Sequence, residues 1–191
     1  MPILDLAEKR EDSKSVHEAV QFNLKSLIVL IMTDNNAPCA MAFALKLLGL
    51  RNHSRQELER KLLKKGCSPE SIELALEKLT NRGVLDDRIF GMELIRSRSR
   101  RKPAGKLKLG AELRKKGVSD AITSELLKEY DGVELCYRAA EKKIRSLHNT
   151  TEADRKRKLE VFLSNRGFEW YEIQTVLKRL FQSGRDFEEP C

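Results

Sequence analysis

Leu58-Glu59-Arg60-Lys61-Leu62-Leu63-Lys64-Lys65-Gly66 decides the fold, because the chain repeats its pattern twice more. The second copy is Leu109-Gly110-Ala111-Glu112-Leu113-Arg114-Lys115-Lys116-Gly117 and the third is Leu159-Glu160-Val161-Phe162-Leu163-Ser164-Asn165-Arg166-Gly167. Glycine recurs after 51 and then 50 residues. In each copy leucine stands four and eight positions ahead of the glycine, so both leucines fall on one face of a helix. A basic residue (Lys65, Lys116, Arg166) directly precedes each glycine. A glycine after a basic last turn is a helix stop: it accepts left-handed backbone geometry, and the cations oppose the negative helix end.

Outward from these segments, each glycine is followed by a further helix. Ser68-Pro69 supplies an N-cap with proline at the first helical position, ahead of the stripe Ile72, Leu76, Leu79. Ser119 starts the second copy, with Ile122 and Leu126 in register after a one-residue deletion, and Ile173, Leu177 and Leu180 repeat the stripe in the third. A third helix lies upstream of each leucine pair. Its apolar positions are Met41, Ala44, Leu45 and Leu48, then Ile89, Phe90 and Leu94, then Val133, Cys136, Ala140 and Ile144. Ser54-Arg55-Gln56-Glu57 has the spacing of a capping box, and Asp86 or Asp87 can cap the helix of the second repeat. The expected fold is all-α: three tandem three-helix repeats, about nine helices, stacked into an elongated curved solenoid whose thin individual cores depend on their neighbours. The expected divisions are 1–36, an N-terminal extension outside the pattern, repeats over 37–84, 85–131 and 132–182, and a tail over 183–191.

Composition agrees. The 191 residues are 40% hydrophobic and 35% charged, with five prolines and ten glycines. This excludes disorder throughout and collagen-like classes, and suits helices. The longest apolar run, Leu27 to Met32, is far short of the roughly twenty residues a spanning helix needs. Acidic residues precede that run, which fits a signal peptide poorly. A soluble, cytoplasmic, monomeric protein without membrane contact is expected.

Catalytic and metal chemistry finds little support. Cys39, Cys67, Cys136 and Cys191 lack zinc-ligand spacing and suit plain thiols in a reducing compartment. His17, His53 and His148 have no ligand spacing either, and His53 stands beside the cap Ser54. Phosphate-binding glycine loops and nucleophile motifs are missing from the sequence. No enzyme activity, cofactor or metal is therefore expected. Phe162, Phe168, Trp170, Tyr171 and Phe181 crowd the third repeat, where core packing is expected, with one of the adjacent Trp170 and Tyr171 left outside.

The charge is uneven. The chain carries a net +8. Between Arg96 and Lys116 ten basic residues face one acid, Glu112, so this strip holds +9 and the remainder −1. A charge run is ordinarily a solvated face, but an imbalance of this size repels itself unless something negative binds. A weaker cluster, Arg155-Lys156-Arg157-Lys158, is expected to open a helix, where cations oppose the dipole.

Four strings resemble the RecX regulatory proteins. Arg51-Asn52-His53-Ser54-Arg55-Gln56-Glu57-Leu58 with Lys61 to Gly66 looks like their first repeat, and Gly83-Val84-Leu85-Asp86-Asp87-Arg88-Ile89-Phe90 resembles a G-[YV]-L-D-D-x-x-F signature. Glu112-Leu113-Arg114-Lys115-Lys116-Gly117-Val118-Ser119 is similar to the second-repeat motif, and Phe162 to Phe168 to the third, F-L-x-x-R-G-[FY]. The match covers about 41–182. A Gly-Pro step usual in the family reads Gly105-Lys106, which adds charge and removes a rigid start. The resemblance implies a modulator that binds the filament of the recombinase RecA on single-stranded DNA and mainly inhibits its strand-exchange, ATPase and co-protease activities, within DNA repair, recombination and the SOS response. Expected contacts to RecA or DNA are Arg98, Arg100, Arg101, Lys102, Lys106, Lys108, Lys115 and Lys116; Leu85, Asp86, Asp87, Phe90, Gly66, Gly117 and Gly167 are expected to be structural. The rival expectation is a direct nucleic-acid binder using the same strip on phosphates.

Overall fold

A computed structural model describes residues 38–148 and 150–182; the expectations for 1–36 and 183–191 fall outside these residues. The described residues form nine α-helices and no strand: α1 (Pro38–Leu48), α2 (Arg55–Lys64), α3 (Pro69–Asn81), α4 (Asp87–Arg101), α5 (Lys106–Lys115), α6 (Asp120–Lys128), α7 (Gly132–Ile144), α8 (Glu152–Asn165) and α9 (Trp170–Gln182). Two compact units divide between Phe90 and Gly91.

The three quoted segments are α2, α5 and α8, and all six of their patterned leucines are fully shielded from solvent. Each such leucine contributes on the order of 2–3 kcal/mol by burial. The glycines that follow have φ of 80° at Gly66, 87° at Gly117 and 77° at Gly167, the left-handed geometry of a helix stop. Behind each, an apolar residue returns to the helix by a backbone bond: Cys67, Val118 and Phe168 donate N–H to the carbonyls of Leu62, Leu113 and Leu163. All three are buried.

Serine and threonine oxygens start the helices. Ser54, Ser68 and Ser119 accept from the N–H of Glu57, Ser71 and Ile122, and Thr151 accepts from Asp154. Asp86 caps α4, taking the Arg88 N–H at 2.7 Å. Asp87 does something different: its carboxylate accepts the Arg55 N–H at 2.7 Å, tying the first turn of α4 to that of α2. In unit one, Met41, Ala44, Leu45 and Leu48 of α1 and Ile72, Leu76 and Leu79 of α3 close over Leu58 and Leu62, with Leu85 at the edge. His53 is buried between α1 and α2; its Nδ1–H donates to the Arg51 carbonyl at 2.9 Å, and Lys61 Nζ donates to its Nε2 at 2.7 Å. Those bonds fix the neutral tautomer, and burial lowers its affinity for a proton.

In unit two, Cys136, Ala139 and Ala140 of α7, Leu159 and Leu163 of α8, and Ile173, Val176 and Leu177 of α9 form the third-repeat core. Burial pushes the Cys136 thiol up to about 12, so it is inert. Three expectations need correction. On α6 the buried side chain is Thr123, while Ile122 and Leu126 are only half-buried: Thr123 stands six residues after Gly117, as Ile72 does after Gly66 and Ile173 after Gly167, so the expected deletion is not there and Thr123 takes the buried place of the stripe. Trp170 and Tyr171 are both outside, 66% and 55% exposed. α8 opens on Glu152 and Asp154, which suit the helix dipole, and the basic cluster comes a turn later.

Between α5 and α8 the backbones touch. Gly105 N–H donates to the Arg166 carbonyl at 2.9 Å, and Leu107 N–H donates to the Gly167 carbonyl at 3.3 Å. A side chain on Gly105 would strike the Gly167 carbonyl, and one on Gly167 would lie 2.5 Å from the Lys108 nitrogen. Gly66, with the same φ, faces open space. Nearby, Glu172 closes a capping box by accepting the Glu169 N–H at 2.7 Å through Oε2. Its other oxygen is buried without a partner among the described residues, over Gly132, where any larger residue would collide with it.

Two expectations follow for stability. Gly66→Ala should cost about 1 kcal/mol, the left-handed penalty alone. Gly167→Ala should add a clash worth about 1–3 kcal/mol more; urea midpoints check the difference. Burial raises the Glu172 carboxyl above its ordinary value, helped by Glu169 and Asp131 and opposed by the Glu169 N–H and Lys106. The folded chain then binds a proton that the unfolded chain releases, so this stabilisation is present at low pH and is lost as pH rises through the folded value. Glu172→Gln keeps an acceptor without the charge. Between about pH 7 and about pH 5 the melting temperature of the native chain should gain relative to that of the glutamine variant.

A basic strip held by the third repeat

The strip begins on the last turns of α4, crosses Lys102 to Gly105, and runs down α5. The three residues in the crossing, Pro103, Ala104 and Gly105, are buried although basic side chains flank them. Four bonds hold the crossing in place. Besides the two Gly105 and Leu107 backbone bonds, Arg166 Nη1 donates to the Pro103 carbonyl at 3.0 Å and Tyr130 Oη donates to the Ala104 carbonyl at 2.6 Å. The position taken by proline in the family pattern is here Lys106, the first residue of α5.

The ten cations are not equivalent. Arg98 turns inward and grips Glu112 of α5, with Nε 2.9 Å from Oε2 and Nη2 on Oε1, a two-pronged pair that raises the arginine's hold on its proton. Arg114 Nε donates to Asp120 at 2.5 Å, tying α5 to the start of α6. Lys108 Nζ reaches the Asn165 carbonyl at 3.3 Å, in the last turn of α8. Lys106 is half-buried on the side of Glu172. Lys115 and Lys116 end α5, Lys116 as its C-cap. Arg96, Arg100, Arg101 and Lys102 remain: all are exposed, and none forms an ion pair among the described residues. Arg96 and Arg100 lie four residues apart on one face of α4, away from Arg98. Of the eight expected contacts, the structure therefore brings Arg100, Arg101 and Lys102 together as outward-facing charge and places Arg98 against Glu112. Arg166 is a residue the strip depends on that charge counting passes over; its sequence signal is only the basic residue before the repeat glycine.

Among the described residues no group of three His, Cys, Asp or Glu side chains could hold a metal, and no helix is long and apolar enough to cross a membrane. The family-motif residues sit at packing and turn positions. Leu85 and Phe90 are buried, Asp86 and Asp87 make the bonds described above, and the three glycines end α2, α5 and α8.

Comparison with known proteins places this architecture. The models of the first, second and third three-helix domains of RecX match residues 40–79, 86–127 and 129–177. The chain is 71% identical to the regulatory protein RecX of Pelodictyon phaeoclathratiforme over 84% of its own length and all of the relative's. The chain belongs to the RecX family. It is 52% identical to the regulatory protein RecX of Chlorobium limicola, over 82% of this chain and 99% of that one. The crystal structure of RecX from Lactobacillus salivarius superposes with a TM-score of 0.67 at 24% identity, covering 74% of this chain and 94% of that chain; at that identity the likeness is one of fold. RecX proteins are regulators rather than enzymes, and the three tandem three-helix domains are those of the family.

The Arg98–Glu112 pair gives a local test. A double-mutant cycle on Arg98→Ala and Glu112→Ala should return a coupling of about 0.5–1 kcal/mol for this half-exposed pair, shrinking as salt rises. Urea denaturation at two ionic strengths measures it.

Proposed function

We propose that this RecX chain binds the filament of RecA on single-stranded DNA and restrains it, through a contact centred on Arg100, Arg101 and Lys102 and extended by Lys106, Lys108, Lys115 and Lys116. The observation that carries the reading is the outward row of cations at the end of α4, on a chain whose relatives are named regulatory proteins. Charge left unpaired on a backbone held by four bonds suits a negative partner of fixed geometry, because the side chains need little reordering of the chain beneath them. Arg98 serves as the strut that joins α4 to α5 and supports the contact from within. The chain acts in this reading as a monomer in the cytoplasm, within recombinational DNA repair and the SOS response.

The same row favours one rival, direct binding to DNA phosphates. The two readings separate on salt and on substrate. A direct binder that neutralises about five phosphates loses affinity with a log–log salt slope of about −3.5 on bare single strands and about −4 to −5 on duplex. A filament modulator binds the RecA-coated strand more tightly than the bare one.

The decisive measurement is the DNA-dependent ATPase of RecA with substoichiometric amounts of the chain. A fall in rate and in filament length is expected, and no change in either would overturn the reading. Replacing Arg100, Arg101 and Lys102 with alanine should weaken inhibition by about tenfold or more at unchanged helical content, since three exposed cations are lost from one contact. Undiminished inhibition would remove the end of α4 from the mechanism.

A further inference from the structure

The second basic cluster sorts itself as the first does. Arg155 turns back to the Thr150 carbonyl at 3.0 Å, and Lys156 pairs with Glu152 one turn away and lies over Phe181. Arg157 and Lys158 are left exposed. With Val161 they form one stripe of α8, opposite the buried Leu159 and Leu163. Val161 is 57% exposed, an apolar side chain in the middle of a charged face.

That stripe is one wall of an open cavity of about 500 Å³ between α7 and α8. Its apolar lining is Leu147 and Val161 beside the cation-covered Phe162 ring, and its charged lining is Lys143, Arg157 and Lys158 with a single carboxylate, Asp154. The cavity is open rather than enclosed, so it suits a segment laid against the surface. Asp154 is already engaged as part of the α8 cap, its Oδ2 accepting from the Thr151 hydroxyl at 2.9 Å. The pocket thus offers an apolar seat inside a positive ring.

We propose that this pocket in the third repeat is a docking site for an acidic protein segment that carries one large apolar side chain between carboxylates. The apolar side chain takes the apolar lining, and the flanking carboxylates meet Lys143, Arg157 and Lys158. The cations already over Phe162 favour a peptide over nucleic acid. The Arg166 guanidinium lies 4.8 Å from its ring centroid and the Lys143 ammonium 5.8 Å. Bases bind single-strand sites by stacking on open aromatic faces, and here that ring is covered by charge. A carboxylate gains from Lys143, Arg157 and Lys158, and an aliphatic side chain gains from Val161 and Leu147. The site uses none of the cations at the end of α4, so it stands or falls apart from the filament contact proposed above.

The test is fluorescence anisotropy of the full chain with a dye-labelled synthetic peptide of alternating aspartate and glutamate around one leucine, at low ionic strength. A copy with serine for that leucine and an oligothymidylate of equal charge run alongside. The leucine peptide should bind, the serine copy more weakly. Arg157→Glu with Lys158→Glu should cost the leucine peptide about tenfold or more, and so should Val161→Asp, at unchanged circular dichroism, while alanine at Arg100, Arg101 and Lys102 should leave it unaffected. Absence of peptide binding would overturn the proposal. So would peptide affinity indifferent to both pocket variants, or a loss that falls on the oligothymidylate instead of the peptide, which would make this a nucleic-acid surface.

Discussion

The contact of two backbones, at Gly105 and Gly167, is the constraint on which the functional face of the second unit depends. One glycine ends the leucine-bearing helix of the third repeat in left-handed geometry, and the other begins that of the second. A side chain on Gly105 would displace the Gly167 carbonyl, and one on Gly167 would displace the Lys108 backbone at the start of α5. Because they meet, the carbonyls of Arg166 and Gly167, which a helix end leaves without intrahelical partners, are satisfied by N–H groups from the start of α5. The end of one repeat is thereby the beginning cap of another. The cations on either side of Gly105 inherit their placement from that junction, which is held by main-chain geometry and so is indifferent to their own charge.

The repeat unit is economical for the same reason. Two leucines a turn apart, a left-handed glycine and an apolar residue that bonds back to a carbonyl of the last turn suffice to stop a helix, reverse the chain and seal a small core. Repeats one and three wrap this nucleus in larger clusters from their flanking helices. Around α5 and α6 the seal is poorer: Ile122 and Leu126 are half-buried, and the buried Thr123 hydroxyl has no partner among the described residues. The second repeat gains in exchange the anchoring of its crossing by Arg166 and Tyr130, so part of its order is supplied by the third.

What was legible in the sequence is what local physics writes. The leucine pairs, the stop glycines and the serine caps act within one or two turns, and each could be placed from spacing alone. The α4 cap was narrowed to Asp86 or Asp87 but not resolved, because the partner of Asp87 is Arg55, thirty-two positions away. The docking of Gly105 on Gly167 had no sequence signal beyond a missing proline. The exposure of both Trp170 and Tyr171 was missed because aromatic residues are read as core by default, whereas α9 turns Ile173, Val176 and Leu177 inward from the next turn on. The inward turn of Arg98 was likewise invisible in a count of charges, although Glu112 was the one acid in the strip.

That last point alters what the basic excess means. A run of ten cations reads as a single electrostatic surface, but the fold spends several of them on itself. Arg98 and Arg114 brace helices through carboxylates, and Lys108 reaches a helix-end carbonyl. The third-repeat cluster divides the same way, with Arg155 and Lys156 turned back on their own helix and Arg157 and Lys158 outward. In both places the bound cations fix the backbone from which the unbound ones project. A partner therefore meets a few charges at set positions, and specificity can come from their geometry, which the net charge of the chain does not describe.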